Sequence, residues 1–240
     1  MLSSSACSTA VHDNPATQPA IRPDYPPEKL KEWFDRHEHL CARARQGGID
    51  VLFLGDSLTE AWEKQGLPAW QKIARRHRIA NFGRSGDRTQ QVLWRITHGE
   101  LDTLVPAVTV LLIGSNNLDP GPGNNSPLRQ HTPEETVAGI AATMREIQHR
   151  LPRTQLLLMG VFPRGEKESR YRIEVPAINV GLRQLAPALG ARFLDLTAHL
   201  LPSSGELDPG IFPDQLHLSS QGYEIWADAL LPELDRLILK

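Results

Sequence analysis

"VLFLGDSLTEAW", residues 51–62, has the pattern of a buried strand that runs into a helix. Four consecutive apolar residues, Val51 to Leu54, stop at Gly55-Asp56, and a stretch of helical composition follows. A continuous apolar run, as opposed to an alternating one, is what a strand buried on both faces of a parallel sheet requires. Ser57 sits at the junction. Ser57-Leu58-Thr59-Glu60 reads S-x-x-E, the pattern of a capping box with the serine as N-cap. The same position suits a nucleophile, exposed where a strand turns into a helix. The stretch alone is compatible with both roles.

Working outward, the pattern repeats. Further apolar runs lie at 79–82, 108–113, 156–161 and 192–196, with helical segments at 69–76, 89–97, 133–150 and 171–189 between or beside them. A last helix, 220–239, carries Tyr223, Trp226, Ala227 and Leu230 on one face, with Ser219 or Ser220 as its cap. Ahead of the first strand, Leu30, Trp33, Phe34, His37, Leu40, Cys41 and Ala44 recur at helical spacing, and Gly47-Gly48 ends that helix. His37 falls on the apolar stripe, which predicts a packed core histidine. The alternation predicts one α/β domain over 28–240, built on five parallel strands. Residues 1–27 are rich in Ser, Ala, Thr and Pro and read as a flexible tail, closed by the extended Arg22-Pro23-Asp24-Tyr25-Pro26-Pro27. A turn-rich insert at 119–127 directly follows the third strand, which predicts that it borders the ligand crevice.

Composition narrows the function classes. The 240 residues are 40% hydrophobic and 22% charged, with a net charge of −2. Such a chain can bury a sizeable core, and it has no global field to attract nucleic acid or an anionic membrane. The two cysteines, Cys7 and Cys41, give no C-x-x-C and no disulfide framework. No apolar run approaches the roughly 18 residues of a membrane span, so stable membrane insertion is not expected. The first twenty residues lack a basic start and a continuous apolar segment, which points to the cytoplasm; the remnant of a trimmed export signal is the alternative. Neither H-E-x-x-H nor G-x-x-x-x-G-K-[ST] occurs, so no metal or nucleotide cofactor is expected.

The chemistry collects after the strands. Gly55-Asp56-Ser57 follows the first, Gly83-Arg84-Ser85-Gly86-Asp87 the second and Gly114-Ser115-Asn116-Asn117 the third. Asp214-Gln215-Leu216-His217 precedes the last helix. In a parallel sheet all strand C-termini share one edge, so residues distant in sequence can meet there. Ser57 supplies a nucleophile, which is weak until a base takes its proton. His217 supplies that base, and Asp214 can hold the imidazole in the required tautomer. The Ser57 N–H, the Gly86 N–H and the Asn116 amide can receive the charge that develops on a carbonyl oxygen. Each element alone is unspecific: a capping-box serine is usually a cap, and an Asp-x-x-His is commonly a surface pair. The weight comes from finding all of them in order, each at the right end of its element.

These blocks also carry a resemblance. Gly55-Asp56-Ser57-Leu58, Gly86, Gly114-Ser115-Asn116-Asn117 and Asp214-Gln215-Leu216-His217 resemble the four blocks of the SGNH (GDSL) hydrolases. "NFGRSGDRTQQVLWRITHGELD" (81–102) and "PRGEK" (163–167) are similar to one branch, the catalytic subunits of intracellular platelet-activating-factor acetylhydrolase and their bacterial relatives. The resemblance implies a flavodoxin-like three-layer α/β/α sandwich and hydrolysis of a short-chain, acetyl, ester through an acyl-enzyme. Ser57, Asp214 and His217 carry over as the triad, with the Ser57 N–H, Gly86 and Asn116 as the oxyanion hole. It implies a small-molecule ester substrate, no metal, no cofactor, and a homodimer, because the related subunits dimerise. Two alternatives stand beside it: a lysophospholipase or thioesterase type of acyl hydrolase, and a dimeric binding or scaffold module that retains the fold. Two departures from the branch bear on the substrate: Ser85 stands where a second glycine is usual, and the 119–131 insert is long. Leu58 and Leu216, beside the nucleophile and the base, are expected to line the acyl pocket.

Overall fold

Five strands form one parallel sheet in the computed structural model, which describes residues 14–121 and 128–238. They are β1 (Val51–Gly55), β2 (Ile79–Gly83), β3 (Val108–Leu112), β4 (Gln155–Met159) and β5 (Arg192–Leu194), in the order β2-β1-β3-β4-β5. This is the flavodoxin-like order expected from the sequence, with β1 between β2 and β3. Val51 pairs with Ile79 on one side and Val108 on the other, so the ends of these three strands finish level.

Alternation along each strand sends side chains to opposite faces. Leu52, Leu54, Phe82 and Leu111 share one core with α1 (Pro27–Arg45), α4 (Thr89–Arg95), α5 (Pro133–Arg150) and α6 (Tyr171–Ala188). Val51, Phe53, Val110 and Leu157 share the other with α2 (Ser57–Glu60), α3 (Leu67–Ala74), α7 (Thr197–Leu200) and α8 (Ser220–Ile238). The three layers follow directly from the unbroken apolar runs, because a strand that is apolar on both sides needs a cover on both sides.

Each core anchors part of the strand-end surface. On the second face the Trp62 ring lies 4.6 Å from Trp226 and 6.0 Å from Phe53 between centroids. Such pairs contribute about 0.5–1.5 kcal/mol each beyond their buried area. The Tyr223 hydroxyl donates to the Leu58 carbonyl at 2.6 Å. These contacts clamp α8 onto α2. On the first face a buried charge network supports the loop after β2. Arg95 Nε donates to Asp87 at 2.7 Å and its Nη1 pairs with Glu100; all three side chains are inaccessible to solvent. Trp33 Nε1 adds a 2.8 Å bond to Asp87, and His37 lies 3.0 Å from Glu100. His37 is therefore a buried, hydrogen-bonded side chain, as its place on the apolar stripe predicts.

Several boundaries differ from expectation, and α3 runs Leu67–Ala74 while β5 stops at Leu194, each shifted by two residues. Helix α4 ends at Arg95, because the wide turn over Ile96–Glu100 places Gly99 at φ 109°, a conformation that breaks the helix. Strand β4 ends at Met159, two residues early, because the backbone N–H and C=O of Val161 pair with the Asn179 side chain at 2.8 and 2.9 Å in place of a neighbouring strand. The largest difference concerns the segment before α1. Residues up to 27 read as a tail, yet 14–26 lie along the domain. The Asn14 amide donates to Glu135 O, Ala16 O accepts from Thr89 Oγ1, Ala20 N donates to Gln90 O, and Ile21 O accepts from Gln91 Nε2. The attachment is by hydrogen bonds to single backbone groups, which leave no apolar periodicity in the sequence. Residues 1–13 lie outside the described residues.

Candidate active site

The turn from β1 into α2 answers the question posed by the S-x-x-E pattern. The N-cap is Asp56, whose side chain accepts from Leu58 N at 3.0 Å, and Ser57 is the first helical residue. Glu60 is not folded back into a capping box. It accepts from Ser85 N at 2.6 Å and pairs with Lys64. The Ser57 hydroxyl, relieved of capping, lies 2.9 Å from His217 Nε2.

His217 is held from its other side. Its Nδ1 lies 2.7 Å from Asp214 Oδ2, while Asp214 Oδ1 accepts from the backbone N–H groups of Leu216 and His217 at 3.0 and 2.7 Å. Partial burial pushes the Asp214 carboxyl up, but the bonds from His217 and Leu216 outweigh it and hold the group below its ordinary 3.8. An ionised carboxylate only accepts, so Nδ1 carries the ring proton and Nε2 turns its lone pair to Ser57. The loop closes tightly enough to put Gln215 at φ 63°, in the left-handed region, which a residue with a Cβ occupies at a cost of about 1–2 kcal/mol. Gly165 N donates to the Gln215 carbonyl at 2.8 Å and braces that strained residue.

Because β1 lies between β2 and β3, Gly86 and Asn116 emerge on either side of Ser57. Gly86 has φ 78°, and its N–H has no acceptor among the described residues. Asn116 Nδ2 donates to Asp87 O at 2.9 Å, which ties the two loops together and leaves one amide hydrogen free. The site opens into a groove of about 620 Å³ whose rim includes Glu60, Lys64, Gln65, Ser85, Ser219 and Ser220.

Two expected pocket residues do not line that groove. Leu58 is 2% exposed and packs in the core with Phe53 and Trp62, because the second residue of α2 faces the sheet. Leu216 is half-buried off the groove, and Leu218 lines it instead. The insert is described at its two ends only, since 122–127 lie outside the described residues. Both ends are fastened by arginines: at the first, Arg164 and Arg88 donate to Asp119 and Arg170 donates to Leu118 O, and at the second Arg88 donates to Arg129 O at 2.8 Å. Neither end lines the groove beside Ser57.

The residue types alone did not reveal the roles of Arg164 and Gly165. Both lie in the quoted PRGEK stretch, where Arg164 also bonds Ser115 O at 3.0 Å, so this stretch braces the loop after β3 and the loop carrying His217. Asp56 was likewise unassigned. It is 1% exposed, and burial drives its carboxyl up from 3.8 to about 7 against the opposing Leu58 N–H and the nearby His217. A folded-state value above the unfolded one means the folded chain binds an extra proton between these limits. The associated stability is complete below pH 4 and is lost as pH rises toward 7. Urea denaturation should therefore show wild-type stability falling relative to Asp56→Asn across this window, by up to about 4 kcal/mol. A constant difference from pH 4 to 7 would contradict the burial argument.

Comparison with known proteins identifies the family. The model of the GDSL-like lipase/acylhydrolase family matches residues 53–225, a span that contains Ser57, Gly86, Asn116, Asp214 and His217. The chain is 30% identical over 211 residues to platelet-activating factor acetylhydrolase IB subunit alpha2 of Homo sapiens, covering 88% of this chain and 86% of that one. It is 30% identical over 227 residues to subunit alpha1 of Bos taurus, covering 94% and 91%. Among solved structures, a GDSL-like lipase from Bacteroides thetaiotaomicron superposes with a TM-score of 0.66 at 18% identity, covering 83% of this chain and 97% of the other. An acetylxylan esterase from Geobacillus stearothermophilus superposes with a TM-score of 0.64 at 20% identity, covering 78% and 94%. The chain belongs to the GDSL-like lipase/acylhydrolase family of ester-hydrolysing enzymes.

Proposed function

We propose that this acylhydrolase is a serine esterase that removes a short acyl group, acetyl, from an alcohol through Ser57, His217 and Asp214. One observation supports this above all: Ser57 Oγ, His217 and Asp214 lie in hydrogen-bonded sequence at 2.9 and 2.7 Å, with the serine hydroxyl free of any capping role. In the first half-reaction His217 Nε2 takes the Ser57 proton as Oγ attacks the ester carbonyl. The oxyanion is received by the N–H groups of Ser57 and Gly86 and by the Asn116 amide. As the tetrahedral adduct collapses, His217 returns the proton to the departing alcohol oxygen and the acyl group stays on Ser57. A water, deprotonated by the same nitrogen, then attacks the acyl carbon; the carboxylic acid leaves and Ser57 recovers its proton.

The acetyl assignment is supported by the groove. Among its described lining residues only Leu218 has a large apolar side chain, beside the smaller Ala61 and Pro213, and Leu58, the large apolar side chain nearest the nucleophile in sequence, is turned away into the core. A long acyl chain needs contiguous apolar surface, at roughly 0.8 kcal/mol per buried methylene. Acetyl is also the group named for the two relatives, the platelet-activating factor acetylhydrolases and the acetylxylan esterase. Rates on p-nitrophenyl esters from C2 to C12 are the test. The expected result is a maximum kcat/KM at C2, falling at least about tenfold by C6. A maximum at C8 or longer would replace this reading with a lysophospholipase-type one.

A further inference from the structure

Among the described residues, the carbonyls of Ser85, Gly86 and Asp87 each receive a hydrogen bond, and two of the three donors come from the N-terminal segment. The Tyr25 hydroxyl donates to Ser85 O at 3.3 Å, the Arg22 guanidinium donates to Gly86 O, and Asn116 donates to Asp87 O. Arg22 is itself aimed. It is 6% exposed, paired two-pronged with Asp24 at 2.9 and 2.6 Å, and stacked 4.0 Å over the Tyr25 ring. Gly86 fits closely beneath them: a Cβ there would stand 2.8 Å from both Arg22 Nη1 and the Tyr25 hydroxyl. Pro23 follows Arg22 and Pro26 follows Tyr25, and each restricts the backbone of the residue before it, so Arg22 and Tyr25 arrive with little freedom left to lose.

The consequence lies in the peptide unit. The carbonyl of Ser85 and the N–H of Gly86 belong to one planar trans group and point in opposite directions. A donor that fixes Ser85 O therefore aims the Gly86 N–H, and polarisation along the unit makes that N–H a better donor. Arg22 fixes the following peptide, whose Asp87 N–H donates to Arg84 O at 3.2 Å, so it pins the other side of Gly86 and places its charge beside the loop. The Gly86 N–H has no acceptor of its own among the described residues, as a group held ready for a transient anion would. We propose that Arg22 and Tyr25 are positioning residues of the oxyanion hole, so that the segment over 14–26 completes the catalytic machinery from outside the sheet-and-helix core. The proposal rests on the reading of Gly86 as an oxyanion donor.

The expected sizes follow from geometry. Loss of a direct oxyanion donor costs about 10²–10³ in rate, so a group acting through that donor should cost less. The 3.3 Å Tyr25 bond is long for a hydroxyl donor. Arg22→Met is expected to lower kcat on p-nitrophenyl acetate about tenfold, and Tyr25→Phe about threefold, with KM within about twofold of wild type. Arg22→Lys, which keeps a charged donor, should recover part of the loss. The inhibition constant of trifluoroacetone, which forms a tetrahedral adduct with the serine, should weaken by the same factor as kcat falls. Rates are normalised to active sites titrated with an organophosphate, so a fraction of unfolded protein cannot imitate the effect. Tyr25→Phe keeps the ring packing and carries the test if Arg22→Met lowers the melting temperature. The proposal is overturned if both variants keep kcat and trifluoroacetone affinity within twofold, or if KM alone changes. If wild type neither cleaves the ester nor takes the label, the esterase reading fails and takes this proposal with it. If wild type does both and the variants match it, this proposal alone fails.

Discussion

Ser57→Ala is expected to lower kcat on p-nitrophenyl acetate by about 10⁴- to 10⁶-fold, the range seen when a serine nucleophile is removed and only binding and oxyanion stabilisation remain. The same substitution should leave the melting temperature within about 2 °C of wild type. The second expectation distinguishes the two roles that the sequence allows. Were Ser57 the N-cap of α2, its loss would cost about 1 kcal/mol of stability. Asp56 carries the cap, and the Ser57 hydroxyl points to His217, so activity and stability should separate cleanly. Retention of more than about 1% of wild-type kcat, or a drop of several degrees with activity preserved, would contradict the assignment.

His217→Ala should cost nearly as much as Ser57→Ala, because a serine without a base is a poor nucleophile and the groups act as a unit. Asp214→Asn should cost less than His217→Ala, by about ten- to a hundredfold in kcat. An asparagine retains an acceptor oxygen for the Leu216 and His217 N–H groups, so the loop can keep its shape. What it loses is the ionised partner that selects the Nδ1–H tautomer. The carboxyl is held below its ordinary value, so Asp214 stays ionised throughout pH 5–8 and should impose no limb of its own on the rate profile there. Equal losses in Asp214→Asn and His217→Ala, or a larger loss in Asp214→Asn, would contradict this ordering.

Much of this was legible in the residues. The continuous apolar runs that became β1 to β4 specify a buried parallel sheet, and a parallel sheet gathers its strand ends. The sequence therefore suffices to place Ser57, Gly86, Asn116, Asp214 and His217 toward one edge of the sheet. What was not legible depends on directions that periodicity does not encode. Leu58 and Leu216 adjoin the nucleophile and base in sequence, but their side chains turn to the core and away from the groove. The S-x-x-E pattern marks a helix start correctly, yet the acid one residue earlier outcompetes Ser57 for the cap, since Asp is as good an N-cap and its carboxylate is already at the turn. The segment over 14–26 joins the domain by polar bonds to single backbone groups and a two-pronged Arg22–Asp24 pair. Its composition resembles that of a chain that cannot fold, because folding by such contacts needs few apolar residues. Gln215 at φ 63° and the brace from Gly165 depend on the spacing between two loops that only the folded chain brings together.

In the proposed mechanism Ser57 is the residue that carries the acyl group. The most direct measurement is mass spectrometry of the full chain after reaction with a serine-directed organophosphate, with the adduct mapped by peptide digestion. One equivalent of label is expected on the peptide containing Ser57, with loss of esterase activity in proportion to labelling and no label in Ser57→Ala. Label on another serine, or label that persists in Ser57→Ala, would contradict it.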